Sequence, residues 1–124
     1  MLSKHFNRIE FKCHCGRCDR DVVDVELLRL LETVREHFNE PVIITSGNRC
    51  EAHNKAVGGA KDSQHLLGKA ADIVVRNIPA KDVYDFLCNH QPLKNGYGLY
   101  PSWVHLDVRE AKARWIKKNP NQNG

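Results

Sequence analysis

His65, Asp72 and His105 offer two imidazoles and one carboxylate, the three-ligand set that holds a zinc ion while leaving one coordination position for water. An open position of that kind separates a catalytic metal from a structural one. The first two residues belong to one stretch, Ser63-Gln64-His65-Leu66-Leu67-Gly68-Lys69-Ala70-Ala71-Asp72-Ile73, and the third to Trp103-Val104-His105-Leu106-Asp107. Gly68 lets the backbone turn between the first two ligands. The run from Ala70 to Val75 reads as a strand that presents Asp72 on one face, with Ile73 and Val75 on the other, where a core receives them.

The elements that must position these groups follow from the periodicity. Phe6, Ile9 and Phe11 suggest an N-terminal arm packed on the core. Asp24 caps a helix whose Leu27, Leu30, Leu31, Val34 and Phe38 share a face, and Asn39 and Pro41 end it. Val42-Ile43-Ile44-Thr45 reads as a buried strand. From Ser46 to Gln64 the chain is polar and glycine-rich, as in a long functional loop. Pro79 opens a second helix with Val83, Phe86 and Leu87 as its buried stripe. Tyr97–Tyr100 and Trp103–Val108 form an antiparallel hairpin through Pro101-Ser102, placing His105 and Asp107 on one face. Arg109–Lys118 reads as a short helix with Trp115 and Ile116 turned inward, and residues 119–124 as a frayed tail.

Composition sets the bounds. A chain of 124 residues with 41% hydrophobic content supports one compact domain, spanning 1–124 and including an arm over 1–20 that carries a cysteine cluster. No apolar run reaches membrane-spanning length, and Met1-Leu2-Ser3-Lys4-His5 lacks the apolar centre of a signal peptide. The expectation is a soluble, monomeric protein without membrane insertion. The net charge of +4 is scattered, densest around Lys112 to Lys118; it suits loose attraction to an anionic wall polymer and gives no ground for nucleic-acid binding.

Cys13, Cys15 and Cys18 form a tight group, with Cys50 and Cys88 far along the chain. A structural zinc takes four ligands, so the group would need His14, Cys50 or another residue. Reduced thiols packing locally, a bridge from the cluster to Cys50, and a second metal site all stay open, the metal ranking behind the bridge. Cys88, on the second helix, reads as a small buried apolar residue.

Ser63-x-His65 with Gly68, Ala70 and Asp72, preceded by Ser46-Gly47-x-Arg49 and followed by Val104-His105-Leu106-Asp107, resembles the zinc D-alanyl-D-alanine carboxypeptidase family. That family includes phage endolysins and murein endopeptidases and shares its fold with the hedgehog signalling domain. The resemblance implies an α+β fold in which helices pack on a small antiparallel sheet of about four strands. It implies zinc held by His65, Asp72 and His105, and an Arg49 that binds the substrate carboxylate or polarises the scissile carbonyl. A guanidinium suits either task because it stays charged and makes paired hydrogen bonds.

One departure from the family pattern concerns the general base. Relatives commonly place an acidic residue three positions before the last histidine, or a histidine two before it; here these are Ser102 and Trp103. Asp107 is the nearest acidic candidate, either as the base or as the acceptor that orients a ligand histidine. The resemblance implies hydrolysis of peptide bonds involving D-amino acids in peptidoglycan, at a stem or cross-link that it does not specify. For a phage- or prophage-derived chain this work would be done in the periplasm or cell wall. The alternative is a zinc-bearing wall- or protein-binding module that has lost hydrolysis.

Overall fold

The computed structural model describes residues 2–15, 23–59 and 63–117. Helix α1 spans Val25–Phe38. The Asp24 carboxylate accepts from the backbone N–H groups of Glu26 and Leu27 at its start, a cap worth about 1 kcal/mol. Asn39 ends it in the left-handed conformation, at φ 52°. Helix α2 is short, Glu51–Ala56, and α3 runs Ala80–His90 from Pro79. The strands are β1 Val42–Ser46, β2 Ala70–Val75, β3 Gly96–Leu99, β4 Val104–Asp107 and β5 Ala113–Ile116. They form one sheet in the order β1-β2-β4-β3-β5, antiparallel throughout except for the β3–β5 pair.

Strand alternation divides this sheet into two chemically different faces. Ala71, Ile73 and Val75 of β2, Tyr97 of β3, and Val104 and Leu106 of β4 are all buried, in one cluster with Leu27, Leu30, Leu31 and Val34 of α1 and Val83 and Leu87 of α3. Each fully buried leucine there contributes roughly 2 kcal/mol of transfer free energy. Phe6 and Phe11 of the N-terminal arm complete the core at its edge. The opposite face is left to the polar residues of the site.

Four expectations need correction. The expected helix over Arg109–Lys118 is not formed in the described residues 109–117: Ala113–Ile116 pairs in parallel with β3, because extended backbone there gives the exposed edge of β3 a partner. Ile116 is 61% exposed instead of inward. The strand beginning at Val42 is half solvated, with Ile43 at 51% exposure, because β1 is an edge of the sheet and only its alternate residues meet the core. Ile9 is exposed, whereas Phe6 and Phe11 of the same arm are buried. The long loop after β1 also contains α2 and a 3₁₀ turn, Gln64–Leu67. Cys18 and the 119–124 tail lie outside the described residues.

Candidate metal centre

A single row of residues crosses the polar face from edge to edge. Register places Ser46 beside Asp72, Asp72 beside His105, His105 beside Gly98, and Gly98 beside Trp115. His65 reaches this row from the 3₁₀ turn before β2. That turn is capped at its start by Ser63, whose hydroxyl accepts from the His65 N–H at 3.2 Å, and closed by Gly68 at φ 70°. The loop after β1 grips the same turn: Arg49 N–H donates to the His65 carbonyl at 3.0 Å, and the Asn48 amide does so at 3.2 Å.

Ligand atoms of His65, Asp72 and His105 lie within 4.8 Å of one another. Nε2 of His65 stands 3.3 Å from Asp72 Oδ1, and Nδ1 of His105 stands 2.9 Å from the same oxygen. The far nitrogen of each ring is engaged elsewhere. Nδ1 of His65 meets the Gly47 carbonyl at 2.6 Å, an atom that can only accept, so this nitrogen carries a proton. Nε2 of His105 meets Asp107 Oδ2 at 2.8 Å, and that carboxylate holds a proton there for the same reason. The inner nitrogens, Nε2 of His65 and Nδ1 of His105, converge on one carboxylate oxygen, where they can donate to Asp72 in the metal-free chain or turn lone pairs toward a cation. The donor set therefore fits a divalent ion such as zinc, with ligand histidines oriented through their outer nitrogens.

In the metal-free chain the inner nitrogens act as donors to Asp72. Burial alone would raise the Asp72 carboxyl, but hydrogen bonds from His105 and His65 outweigh it and hold the group well below the usual carboxylate range. Burial likewise opposes charge on His105, whereas its bonds to Asp107 and Asp72 push its pKa upward. Asp107 is fully buried, and against that burial His105 and Arg109 lower its pKa to about 2. Its Oδ1 accepts from Gly96 N–H at 3.0 Å and Arg109 Nε at 2.8 Å, and its Oδ2 from Arg109 Nη2 at 2.6 Å in addition to His105.

Of the residues singled out by sequence, His65, Asp72, His105 and Arg49 meet at one place. Arg49 is held by Ser46 Oγ at 3.3 Å, Asn54 Oδ1 at 3.2 Å and Asp72 Oδ2 at 3.4 Å. Asp107 stands behind His105, on the side of the ring away from Asp72. The metal-ligand candidates and Arg49 line an open cleft of about 850 Å³, together with Tyr100, Trp103, Arg109, Trp115 and Lys117. Among the described residues lining it, Asp72 is the sole carboxylate.

Two contributors were missed in the sequence. Trp115 faces the cleft, its ring centroid 5.2 Å from that of His105 and its indole N–H donating to Tyr100 Oη at 3.1 Å. Gly98 makes room for it, since a Cβ at that position would come within 2.3 Å of the indole nitrogen. A glycine inside the expected strand Tyr97–Tyr100, well ahead of the segment expected as the final helix, was the available signal. It becomes meaningful only once that segment is recognised as a strand.

A small α+β domain with a His–Asp–His set on the polar face of its sheet defines a class of metal-dependent hydrolase. The sequence matches the Peptidase M15 family over residues 4–107, most of its length, and the chain belongs to that family of metallopeptidases, which act on peptides. No curated protein matches the sequence. Among the described residues no helix is long and apolar enough to cross a membrane.

Proposed function

We propose that this chain is a zinc-dependent peptidoglycan peptidase that hydrolyses peptide bonds involving D-amino acids in stem peptides or cross-links. The observation that carries the reading is the pair of outward-anchored histidines, His65 on the Gly47 carbonyl and His105 on Asp107, both aimed at Asp72. His65, Asp72 and His105 would hold the zinc ion, whose contribution when bound would be Lewis acidity toward a carbonyl oxygen and a water.

The protein's own groups do the rest. Arg49, fixed by three oxygen acceptors beside Asp72, directs its charge into the cleft, where it pairs with a substrate carboxylate or with the negative charge that develops on the carbonyl oxygen. Tyr100 and Trp103, stacked with ring centroids 4.6 Å apart, and Trp115 form an aromatic wall against which a stem peptide lies. Asp107 acts as an orienting residue: its oxygens are taken up by donors from Gly96, Arg109 and His105, and the last of these contacts fixes the His105 tautomer. It is not the proton acceptor in this reading.

A second reading is favoured by one specific observation. The cleft lining contains no carboxylate besides Asp72 among the described residues, as expected of a module that grips a wall peptide without cutting it. Incubating purified peptidoglycan with the zinc-loaded chain, and with the same chain after chelation, separates the two. The peptidase reading requires new muropeptide masses that differ by hydrolysis of one peptide bond and disappear on chelation. Binding to the wall without any released fragment would leave only the module.

A further inference from the structure

Cys50 lies 37 residues beyond Cys13 in sequence, yet the fold brings their sulfurs to 3.8 Å. Cys15 joins them, and the three Sγ atoms all lie within 4.8 Å of one another. Four sulfurs around zinc at about 2.3 Å stand at tetrahedron corners whose edges are about 3.8 Å. A disulfide would draw one pair to about 2.05 Å. Cys13 and Cys50 are not joined in a disulfide, and the distance between their sulfurs is that of the tetrahedron edge.

Backbone donors are aimed at two of these sulfurs. Cys50 N–H donates to Cys13 Sγ at 3.4 Å, and His53 N–H donates to Cys50 Sγ at 3.4 Å. N–H groups directed at sulfur are the arrangement of the outer hydrogen bonds around a metal site. Cys13 is buried and Cys15 and Cys50 are half-buried, so the cluster is shielded but open to an entering ion.

We infer that Cys13, Cys15 and Cys50 form a second metal site, a structural zinc centre distinct from the His65–Asp72–His105 set. Binding displaces the thiol protons to solvent and forms three Zn–S bonds, with the fourth position left to a nearby side chain or water. Soft thiolates select zinc over magnesium or calcium. Its position explains what it is for. The N-terminal arm already lies against the loop after β1, where Asn48 N–H donates to the Phe11 carbonyl at 2.9 Å. A Cβ on Gly47 would come within 2.8 Å of the Phe11 backbone. The same loop presents the Gly47 carbonyl to His65 and carries Arg49 immediately before Cys50. A zinc ion bridging Cys13 and Cys15 to Cys50 ties the arm to the loop that aims both groups.

The test uses the full chain, purified under reducing conditions and loaded with cobalt in place of zinc. Thiolate-bound cobalt has an intense near-ultraviolet charge-transfer band, which histidine and carboxylate ligands do not produce. The band should be present in the wild type, persist in His105→Ala and vanish in Cys50→Ser. Elemental analysis of the zinc form should find one equivalent fewer in either variant than in the wild type. Should the serine variant fail to fold, mercurial titration of the wild type serves instead: thiol modification should release one equivalent of zinc. Folded wild type with no charge-transfer band, no zinc released by the mercurial, or a Cys13–Cys50 disulfide found by mass spectrometry would each overturn the inference. The His105→Ala arm keeps this result independent of the peptidase reading.

Discussion

Replacing Asp107 with asparagine changes one buried atom and tests the geometry around the metal ligands. The wild-type carboxylate accepts from His105 Nε2 at 2.8 Å and from Arg109 at 2.8 and 2.6 Å, and all of these partners are donors. An asparagine amide must direct its NH₂ toward one of these. If it faces Arg109, two donors collide; if it faces His105, Nε2 becomes an acceptor and the ring proton moves to Nδ1, the atom aimed at Asp72. That tautomer cannot bind a metal. Loss of such an orienting partner costs about 10- to 100-fold in metal affinity. Breaking the ion pair adds roughly 2–3 kcal/mol of destabilisation, at the low end for a buried pair because the Arg109 side chain is 32% exposed. Zinc affinity by competition with a chromogenic chelator, and stability by urea denaturation of the metal-free chain, read the two effects separately. A variant that binds zinc as the wild type does, yet has lost turnover, would show that Asp107 handles the proton and that its orienting role is wrong.

Arg49→Ala should retain zinc and lower kcat/KM on wall peptides by about 10²- to 10³-fold, and Arg49→Lys should recover only part of it, as steady-state kinetics would show. Gly96→Ala places a Cβ within 2.5 Å of the Asp107 carboxylate and should mimic Asp107→Asn in zinc affinity while losing about 1–3 kcal/mol of stability. Glu32, which accepts from Ser3 Oγ at 2.5 Å, from His5 N–H at 2.8 Å and from the His5 ring at 2.6 Å, has a lowered pKa because these bonds outweigh its burial. Since the folded value lies below the unfolded one near 4.5, its contribution is complete above that pH and is lost as pH falls through the lower folded value. Glu32→Gln should therefore flatten the acid limb of the stability curve and cost about 1 kcal/mol at neutral pH, both measurable by thermal denaturation.

The parts of the molecule legible in the sequence were those governed by local spacing. Asp24 and the apolar stripe behind it define α1, and alternation in Ala70–Val75 predicts both the strand and the face on which Asp72 stands. His65, Gly68 and Asp72 could be related to each other because one turn and one strand separate them. What escaped depends on distant partners. Residues 113–116 are a strand only because the free edge of β3 accepts them, and nothing nearby in sequence announces a parallel neighbour. The solvation of Ile43 follows from the edge position of β1, a property of the whole sheet. The approach of Cys50 to the cysteine cluster was among the alternatives the sequence left open, and the arm folded across the loop brings Cys50 to Cys13. The position of Asp107 on the same face as His105 was readable from a two-residue spacing, but the Arg109 and Gly96 donors that occupy it were not.

The central claim is that a divalent ion binds between His65, Asp72 and His105 with room for a ligand from solvent. An anomalous difference map from zinc-loaded crystals, measured on both sides of the zinc absorption edge, tests it most directly. The account predicts a peak bonded to His65 Nε2, an Asp72 oxygen and His105 Nδ1, with its remaining side open to the cleft. A cleft without such a peak, or an ion there closed off by a fourth protein ligand, would contradict it.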